Sequence, residues 1–227
     1  NKHRKAEFLV SQLLDGKNIA LITDAGTPAI SDPGEELVRQ AYKAGITITS
    51  LPGPCALVTA LTLSGLSTQR FAFEAFLPSE KKERDRILED LACETRTIIL
   101  YEAPHRLKKT LAELLEALGD RPVAIVRELT KIHETVLRTS LEEAVKIYEN
   151  TEPRGEYVLV IEGKTQNEID RQKQSQWEET GIKEHMNIYL NRGMDKKDAM
   201  KAVAKDRGIT KRQVYEALID AKDGDDS

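Results

Sequence analysis

Residues 18–51, NIALITDAGTPAISDPGEELVRQAYKAGITITSL, alternate between apolar, loop-forming and helical segments, and this order predicts the fold class. Residues 18–23 form a short apolar run, which predicts a buried strand. The next segment, residues 24–34, is rich in Gly, Pro and Asp and predicts an irregular loop, and residues 35–44 predict a helix. A second strand is predicted at residues 46–51. Strand, loop, helix and strand in this order form a βαβ unit, so we expect an α/β fold with a parallel sheet.

A second series of α/β elements follows the first. Strands are predicted at residues 71–76, 97–101, 123–126, 135–138 and 157–161, and helices at residues 55–64, 83–92, 105–118 and 140–148. After Lys164 the pattern is wholly helical, and two helices joined by a Gly-Ile-Thr turn at residues 208–210 resemble a helix-turn-helix. We therefore expect two α/β domains, at residues 1–70 and 71–164, and a helical tail at residues 165–227.

The composition is that of a globular protein, with 227 residues of which 40% are hydrophobic and 32% charged. The formal net charge of −4 gives no overall basic character, so any nucleic-acid contact must come from local patches. Cys55 and Cys93 lie far apart, which predicts no disulfide, no metal site and a reducing cytoplasmic setting. No apolar run approaches the roughly 20 residues of a membrane helix, so we expect no membrane partner.

The loop at residues 24–34, DAGTPAISDPG, is the candidate ligand-binding segment. It follows a predicted strand and therefore lies at the carboxyl end of that strand, where open α/β sheets bind ligands. Gly26 permits close approach of the backbone, and Asp24 and Asp32 can accept hydrogen bonds from hydroxyl or ammonium groups. The alternative is a plain strand-to-helix connection with capping aspartates. Eleven residues are long for that role, which favours a ligand.

This loop is similar to the central motif of the tetrapyrrole methylase superfamily, the class III methyltransferases that use S-adenosylmethionine. Its form here resembles the RsmI-type branch, which methylates the ribose 2′-hydroxyl of a cytidine in the 16S ribosomal RNA of the small subunit. Four further motifs of that branch follow in order: LPGPCALVTALTLSGL at 51–66, YEAPHRL at 101–107, RELTKIHE at 127–134 and RGEYVLVIEG at 154–163. The resemblance covers nearly the whole chain, including the helical tail. It implies methyl transfer to ribosomal RNA by a homodimer.

The chain departs from the family pattern at its beginning. Family members start with a strand and a PIGNL-like turn, followed by about half of the first domain, whereas this sequence begins at NKHRKAEF. We therefore expect the first α/β domain to be incomplete by something like 60 residues, less than one typical domain. A half-sheet of this kind predicts an exposed edge and an exposed apolar face, and it leaves open whether the chain binds cofactor.

The resemblance also implies where S-adenosylmethionine is held, between the two α/β domains. From the first domain it implies contacts by Asp24, Ala25, Gly26, Ser31, Asp32, Pro54, Cys55 and Ala56. From the second domain it implies adenine-side contacts by Phe76, Leu77 and residues 154–157. For Cys55, a small buried residue at the start of a helix is an equally good interpretation.

A ribose hydroxyl is a poor nucleophile and benefits from a nearby base or cation. Glu102, His105 and Arg106 are the candidates, because they follow a predicted strand at the edge of the sheet where ligands bind. The alternative is that Glu102 only pairs with Arg106 at the start of a helix. The 127–134 motif adds three further candidates, Glu128, Lys131 and Glu134.

Two basic groups are candidates for RNA contact. The first is Lys81, Lys82, Arg84 and Arg86, and interleaved acidic residues make a solvated helix face the alternative. The second lies in the tail, with helix packing or dimerisation as the alternative, and consists of Lys196, Lys197, Lys201, Lys205, Arg207, Lys211 and Arg212. Three functions stay open: a ribosomal RNA methyltransferase, a tetrapyrrole methyltransferase and a non-catalytic RNA-binding module. The basic tail argues against the second, and the cofactor loop argues against the third.

Overall fold

The computed structural model describes residues 2–223, without the side chains of residues 2, 172–173 and 220–223. The chain divides into two compact units, one ending at Gly163 and one beginning at Lys164. The helices of the first unit are α1 (Lys2–Leu14), α2 (Glu35–Lys43), α3 (Ala56–Ser64), α4 (Lys81–Ala92), α5 (Pro104–Leu118) and α6 (Leu141–Glu149). Its strands are β1 (Phe71–Phe73), β2 (Thr97–Glu102), β3 (Pro122–Arg127), β4 (Thr135–Ser140) and β5 (Tyr157–Ile161). The predicted division of this unit near residue 70 stays a prediction.

The five strands form one sheet in the order β1-β2-β5-β3-β4. β1 and β2 are parallel, whereas β5 runs antiparallel to both β2 and β3, and β4 runs antiparallel to β3. In this register Tyr101 of β2 and Val126 of β3 both lie opposite Val158 of β5. These three residues therefore form a row across one end of the sheet, on a single face.

The two faces of the sheet are covered by different helices. One face packs against α4, α5 and α6 around residues such as Leu100, Ile125 and Leu159. The opposite face packs against α3, through the alternate residues of the same strands, such as Ile99 and Val158. Because successive side chains of a strand point to opposite faces, burial on both sides requires a nearly continuous apolar run. The predicted α/β class is confirmed, but the predicted parallel sheet is wrong, since β1 and β2 are the only parallel pair among the described strands.

The strands predicted at residues 18–23 and 46–51 are wrong, since neither segment is paired with a strand among the described residues. Apolar composition favours a strand, but the ladder of hydrogen bonds requires a partner in register, which composition does not supply. The helix between them does form, and α2 packs against α1. The two segments instead leave apolar side chains in solvent, with Ile22 83% and Leu51 86% exposed.

The second unit contains α7 (Gln166–Ser175), α8 (Ile182–Asn191), α9 (Lys196–Asp206) and α10 (Lys211–Asp223). The last three helices share a small core around Met186, Val203 and Val214. α10 begins with a reciprocal pair of hydrogen bonds between Thr210 and Gln213, which is a capping box. α8 is not predicted individually from the sequence, because it begins after Gly181 and has no side-chain cap to mark its start.

A neutral histidine lies in the core of this helical unit. The fully buried His185 ring stacks on Trp177, with ring centroids 3.5 Å apart. Arg207 Nε donates a hydrogen bond to His185 Nδ1 at 3.1 Å, and His185 Nε2 lies 3.4 Å from Asp206 Oδ2. A protonated Nδ1 would face the guanidinium of Arg207, so burial and this cation lower the pKa of His185 below its usual value.

The helical unit should therefore lose stability as the pH falls below about 6.5, the pKa of histidine in an unfolded chain. Below that pH the unfolded chain binds a proton at His185 that the folded chain accepts only at lower pH. Urea unfolding followed by the fluorescence of Trp177, the single tryptophan, measures this at pH 8 to 5.

The variant His185→Gln should remove this part of the pH dependence. The control variant His133→Gln, which changes an exposed histidine, should keep it. Equal slopes of stability against pH for wild type and His185→Gln would contradict the assignment.

Candidate active site

A cavity of about 740 Å³ lies at the end of the sheet where β2 and β3 finish and β5 begins. Its size falls within the range of roughly 300–1,000 Å³ that is usual for small-molecule sites. The walls come from segments far apart in sequence, at residues 24–32, 54–59, 76, 101–105, 126–131 and 156–158. The sheet therefore brings together residues that the sequence separates by more than 100 positions.

The 24–34 loop is fastened to the turn before α3. The backbone N–H and the hydroxyl of Thr27 both donate to the carbonyl of Pro54, at 2.9 and 3.0 Å. Gly26 has φ +83°, and a Cβ there would lie 3.2 Å from the same carbonyl, so both the backbone conformation and the close approach favour glycine. The carboxylates of Asp24 and Asp32 are exposed and belong to the cavity wall.

Tyr101 forms the centre of the opposite wall. The N–H of Leu57, in the first turn of α3, donates to its hydroxyl oxygen at 3.0 Å. Its ring makes edge contacts with Phe73 and Phe76, with centroids 4.9 and 5.7 Å away. Burial raises the pKa of Tyr101, so the hydroxyl keeps its proton and can donate it to a ligand. Tyr101 is not among the site residues predicted from the sequence, although it is the first residue of the 101–107 motif.

An ion cluster holds the 127–134 loop against the start of β5. Lys131 Nζ donates to Glu128 at 3.1 Å and to Glu156 at 2.8 Å, and Glu128 also accepts from the N–H of Glu156. These hydrogen bonds lower the pKa of Glu128 and raise that of Lys131. Lys131 and Glu156 are exposed, so their ion pair contributes little to stability, but together with the half-buried Glu128 it fixes Lys131 in the cavity wall.

Backbone strain is concentrated around the cavity. Among residues 2–223, the non-glycine residues with positive φ are Ala29, Ser31, Ala75, Glu128 and Thr130, with φ between 51° and 66°. Each of them lines the cavity or directly precedes a residue that does. Such conformations cost on the order of 1–3 kcal/mol each and persist only where the surrounding structure fixes them. This concentration is typical of a preorganised ligand site.

Among the predicted catalytic residues, only His105 has a side chain free to act in the cavity. The buried Glu102 carboxylate accepts from Thr110 Oγ1 at 2.5 Å and from the N–H of Ala103 at 2.8 Å, and it lies 3.5 Å from Arg106 Nε. Arg106 does not line the cavity, which favours the alternative of an ion pair at the start of α5. His105 is exposed, lines the cavity and makes no hydrogen bond to any described residue.

The cavity wall also contains all of the predicted cofactor contacts except Leu77, Arg154 and Gly155. Those present are Asp24, Ala25, Gly26, Ser31, Asp32, Pro54, Cys55, Ala56, Phe76, Glu156 and Tyr157. Leu77 is absent from the wall because its side chain is buried in the core under α4 and α5, and its carbonyl accepts from Arg106. Of the further candidates, Lys131 lines the cavity, whereas Glu134 instead accepts a hydrogen bond from the N–H of Thr130. The roles of these residues stay predictions.

The first basic group needs one correction. Arg84 is only 5% exposed, donates to two backbone carbonyls and lies 3.1 Å from Glu113, so it is not available to RNA. Lys81 and Lys82 are exposed, and Lys81 pairs with Asp85. Within residues 2–223 no group of side chains has the arrangement of a metal site, and no helix is long and apolar enough to cross a membrane.

The chain is similar both to a known protein family and to individual proteins of known description. The family model described as Tetrapyrrole (Corrin/Porphyrin) Methylases matches residues 1–145. Proteins described as ribosomal RNA small subunit methyltransferase I are similar over almost the whole chain. The Bacillus subtilis protein is 44% identical over 217 residues, which cover 96% of this chain and 74% of that protein. The Halalkalibacterium halodurans protein is 46% identical over 215 residues, covering 95% of this chain and 74% of that protein.

Solved structures share the fold at low sequence identity. The methyltransferase CobJ matches with a TM-score of 0.55 and 16% identity, covering 72% of each chain. Diphthine synthase matches with the same TM-score and identity, covering 72% of this chain and 67% of that chain. At these identities the likeness concerns the fold alone.

Gly155 provides a test of the ion cluster. It has φ +82°, and a Cβ there would lie 2.4 Å from the Glu128 side chain. Gly155→Ala should therefore lower the free energy of unfolding by about 1–3 kcal/mol more than Gly45→Ala, which shares the positive φ but meets no atom within 4 Å. Urea unfolding of both variants measures the difference. Equal losses would mean that the Glu128 contact does not constrain this loop.

Proposed function

The chain belongs to the tetrapyrrole methylase family, and from that premise we propose that it transfers a methyl group from S-adenosylmethionine to the ribosomal RNA of the small subunit. The family and the methyltransferase activity predicted from the five motifs are confirmed. We further propose that the acceptor is the ribose 2′-hydroxyl of a cytidine, as the resemblance implies. A homodimer acting in the cytoplasm on the small ribosomal subunit belongs to the same proposal.

One observation carries this proposal. All five motifs, which are spread over residues 24–163, contribute residues to the same cavity. If the motifs served only the fold, some of them would lie in the core or at turns away from the cavity. Their meeting at one preorganised cavity favours a shared ligand.

The side chains present fit the cofactor. The exposed carboxylates of Asp24 and Asp32 can accept hydrogen bonds from its ammonium and ribose hydroxyl groups. Their negative charges also attract its positively charged sulfonium. The rings of Phe76 and Tyr101 offer apolar surface for an adenine. The first turn of α3 begins at Ala56 beside the cavity, where backbone N–H groups other than that of Leu57, which bonds Tyr101, suit a carboxylate.

Methyl transfer to oxygen is an in-line displacement, for which the bound cofactor supplies both the methyl group and the leaving group. The residues of this chain then have to align the acceptor, exclude water and accept a proton. The apolar side chains of Val126, Leu129 and Val158 exclude water from the floor of the cavity. His105, whose imidazole has no partner among the described residues, accepts the proton of the ribose hydroxyl.

The two alternative functions are less well supported. A tetrapyrrole is a compact ring and needs no basic helical appendage, whereas relatives of 44% and 46% identity over most of the chain are named for ribosomal RNA. A non-catalytic RNA-binding module would not need a strained cavity lined by carboxylates and aromatic rings. Replacing ribosomal subunits by a tetrapyrrole acceptor in the transfer assay separates the first alternative from the proposal.

Asp32→Asn should weaken the binding of S-adenosylmethionine about tenfold or more, because a hydrogen bond to a charged group contributes roughly 1.5–3 kcal/mol. Isothermal titration calorimetry measures the affinity. Asp15→Asn, which neutralises an exposed carboxylate outside the cavity, should bind like the wild type. If Asp32→Asn also binds like the wild type, this carboxylate is not part of the cofactor site.

His105→Gln should lower the rate of methyl transfer to small ribosomal subunits by about 100-fold or more, the usual contribution of a general base. Its affinity for the cofactor should stay unchanged, because the imidazole acts on the acceptor. Transfer of a radiolabelled methyl group measures the rate, and His133→Gln, an exposed histidine outside the cavity wall, is the matched control. An undiminished kcat for His105→Gln would remove His105 from the mechanism.

A further inference from the structure

An open groove of about 590 Å³ lies on the helical unit. Its surface is almost wholly apolar, and its rim carries four basic side chains. The residues that line it are Lys196, Lys197, Met200, Lys211, Arg212 and Tyr215. The lysines at 196 and 197 open α9, and the basic pair at 211 and 212 opens α10. Two helices therefore present their first turns to one groove.

The charges at the start of α10 are not placed for helix stability, whereas α9 is capped by Asp195 and carries Asp198 in its first turn. A helix dipole disfavours cations near its amino terminus, yet the first turn of α10 has no acidic residue. Among the described residues no acidic side chain forms an ion pair with Lys196, Lys197 or Lys211. Arg212 pairs with Glu216 on the exposed face of α10. The groove thus has a surplus of positive charge, which suits a polyanion.

Tyr215 adds a feature that phosphate binding alone does not require. Its ring lines the groove and the residue is 53% exposed, beside Met200. Tyr189 in the same unit is different, because its hydroxyl bonds Asp206 and its ring contacts His185. An exposed aromatic ring bordered by cations is the arrangement on which proteins stack unpaired nucleobases.

We infer that this groove binds a single-stranded stretch of RNA, with one base stacked on Tyr215 and the adjoining phosphates on Lys196, Lys197 and Lys211. The inference rests on the proposed function, since an enzyme that methylates ribosomal RNA must bind RNA. A duplex keeps its base faces inside the stack, and the deep, narrow major groove of A-form RNA does not admit a recognition helix such as α10. Lys201 and Lys205, predicted earlier as RNA contacts, do not line the groove.

The first test uses the full chain and a fluorescent 12-nucleotide RNA of unstructured sequence, free or annealed to its complement, with affinity measured by anisotropy. Tyr215→Ala should weaken the binding of the single strand about tenfold, within the usual range for loss of a stacking ring, whereas Tyr215→Phe should keep it. The duplex should bind more weakly than the single strand and should not respond to Tyr215→Ala. Tyr42→Ala, an exposed tyrosine of the other unit, is the matched control.

The second test is the dependence of this affinity on salt. Lys211→Gln should reduce the slope of log Kd against log salt by about one, because one phosphate contact is lost. Lys205→Gln removes an exposed lysine of α9 that lies outside the groove, and it should leave the slope unchanged.

Several outcomes would overturn the inference. They are equal affinities of Tyr215→Ala and Tyr42→Ala for the single strand, equal effects of the two lysine variants, or self-association of the chain that Tyr215→Ala abolishes. The proposed function is judged separately by methyl transfer to small ribosomal subunits. If the wild type transfers methyl groups but Tyr215→Ala binds RNA normally, only the groove assignment fails. If the wild type transfers none but Tyr215→Ala loses RNA binding, the groove stands and the proposed function fails.

Discussion

The register of β2, β5 and β3 is the constraint on which the rest of the first unit depends. Because Tyr101 and Val126 both lie opposite Val158, the three strands end in line and form one floor. Helices cover both faces of these strands, so a shift by one residue would exchange the buried sets of the two faces. The same register places Tyr101 where the N–H of Leu57 reaches its hydroxyl, which ties α3 and the adjoining loop to the sheet.

The rigid sheet explains how a strained site can persist. The loops around the cavity hold non-glycine residues at positive φ, which a chain adopts only where tertiary contacts fix it. Here the contacts are specific: Thr27 bonds Pro54 on one side, and Lys131 joins Glu128 to Glu156 on the other. The packed core therefore stabilises the unit, while the loops determine the shape of the cavity that His105 also lines.

Sequence patterns predict those elements whose structure depends on local signals and on burial. The central strands and α5 follow from apolar runs and periodicity, and α10 follows from the Thr210 and Gln213 cap. The 24–34 loop is recognisable from its breakers and from its likeness to a family motif. The sequence does not reveal that residues 18–23 and 46–51 stay unpaired, because a ladder depends on a partner elsewhere in the chain. Likewise, the interleaved charges around Arg84 do not reveal that its side chain is buried in an ion pair with Glu113 of another helix.

A crystal structure of this chain with S-adenosylhomocysteine, the product form that lacks the methyl group, would test whether the cavity at the end of the sheet holds the cofactor. We expect ligand density between the 24–34 loop and Tyr101, with His105 open to the acceptor side. Ligand density at another place, or a cavity that stays empty at saturating ligand, would contradict this expectation.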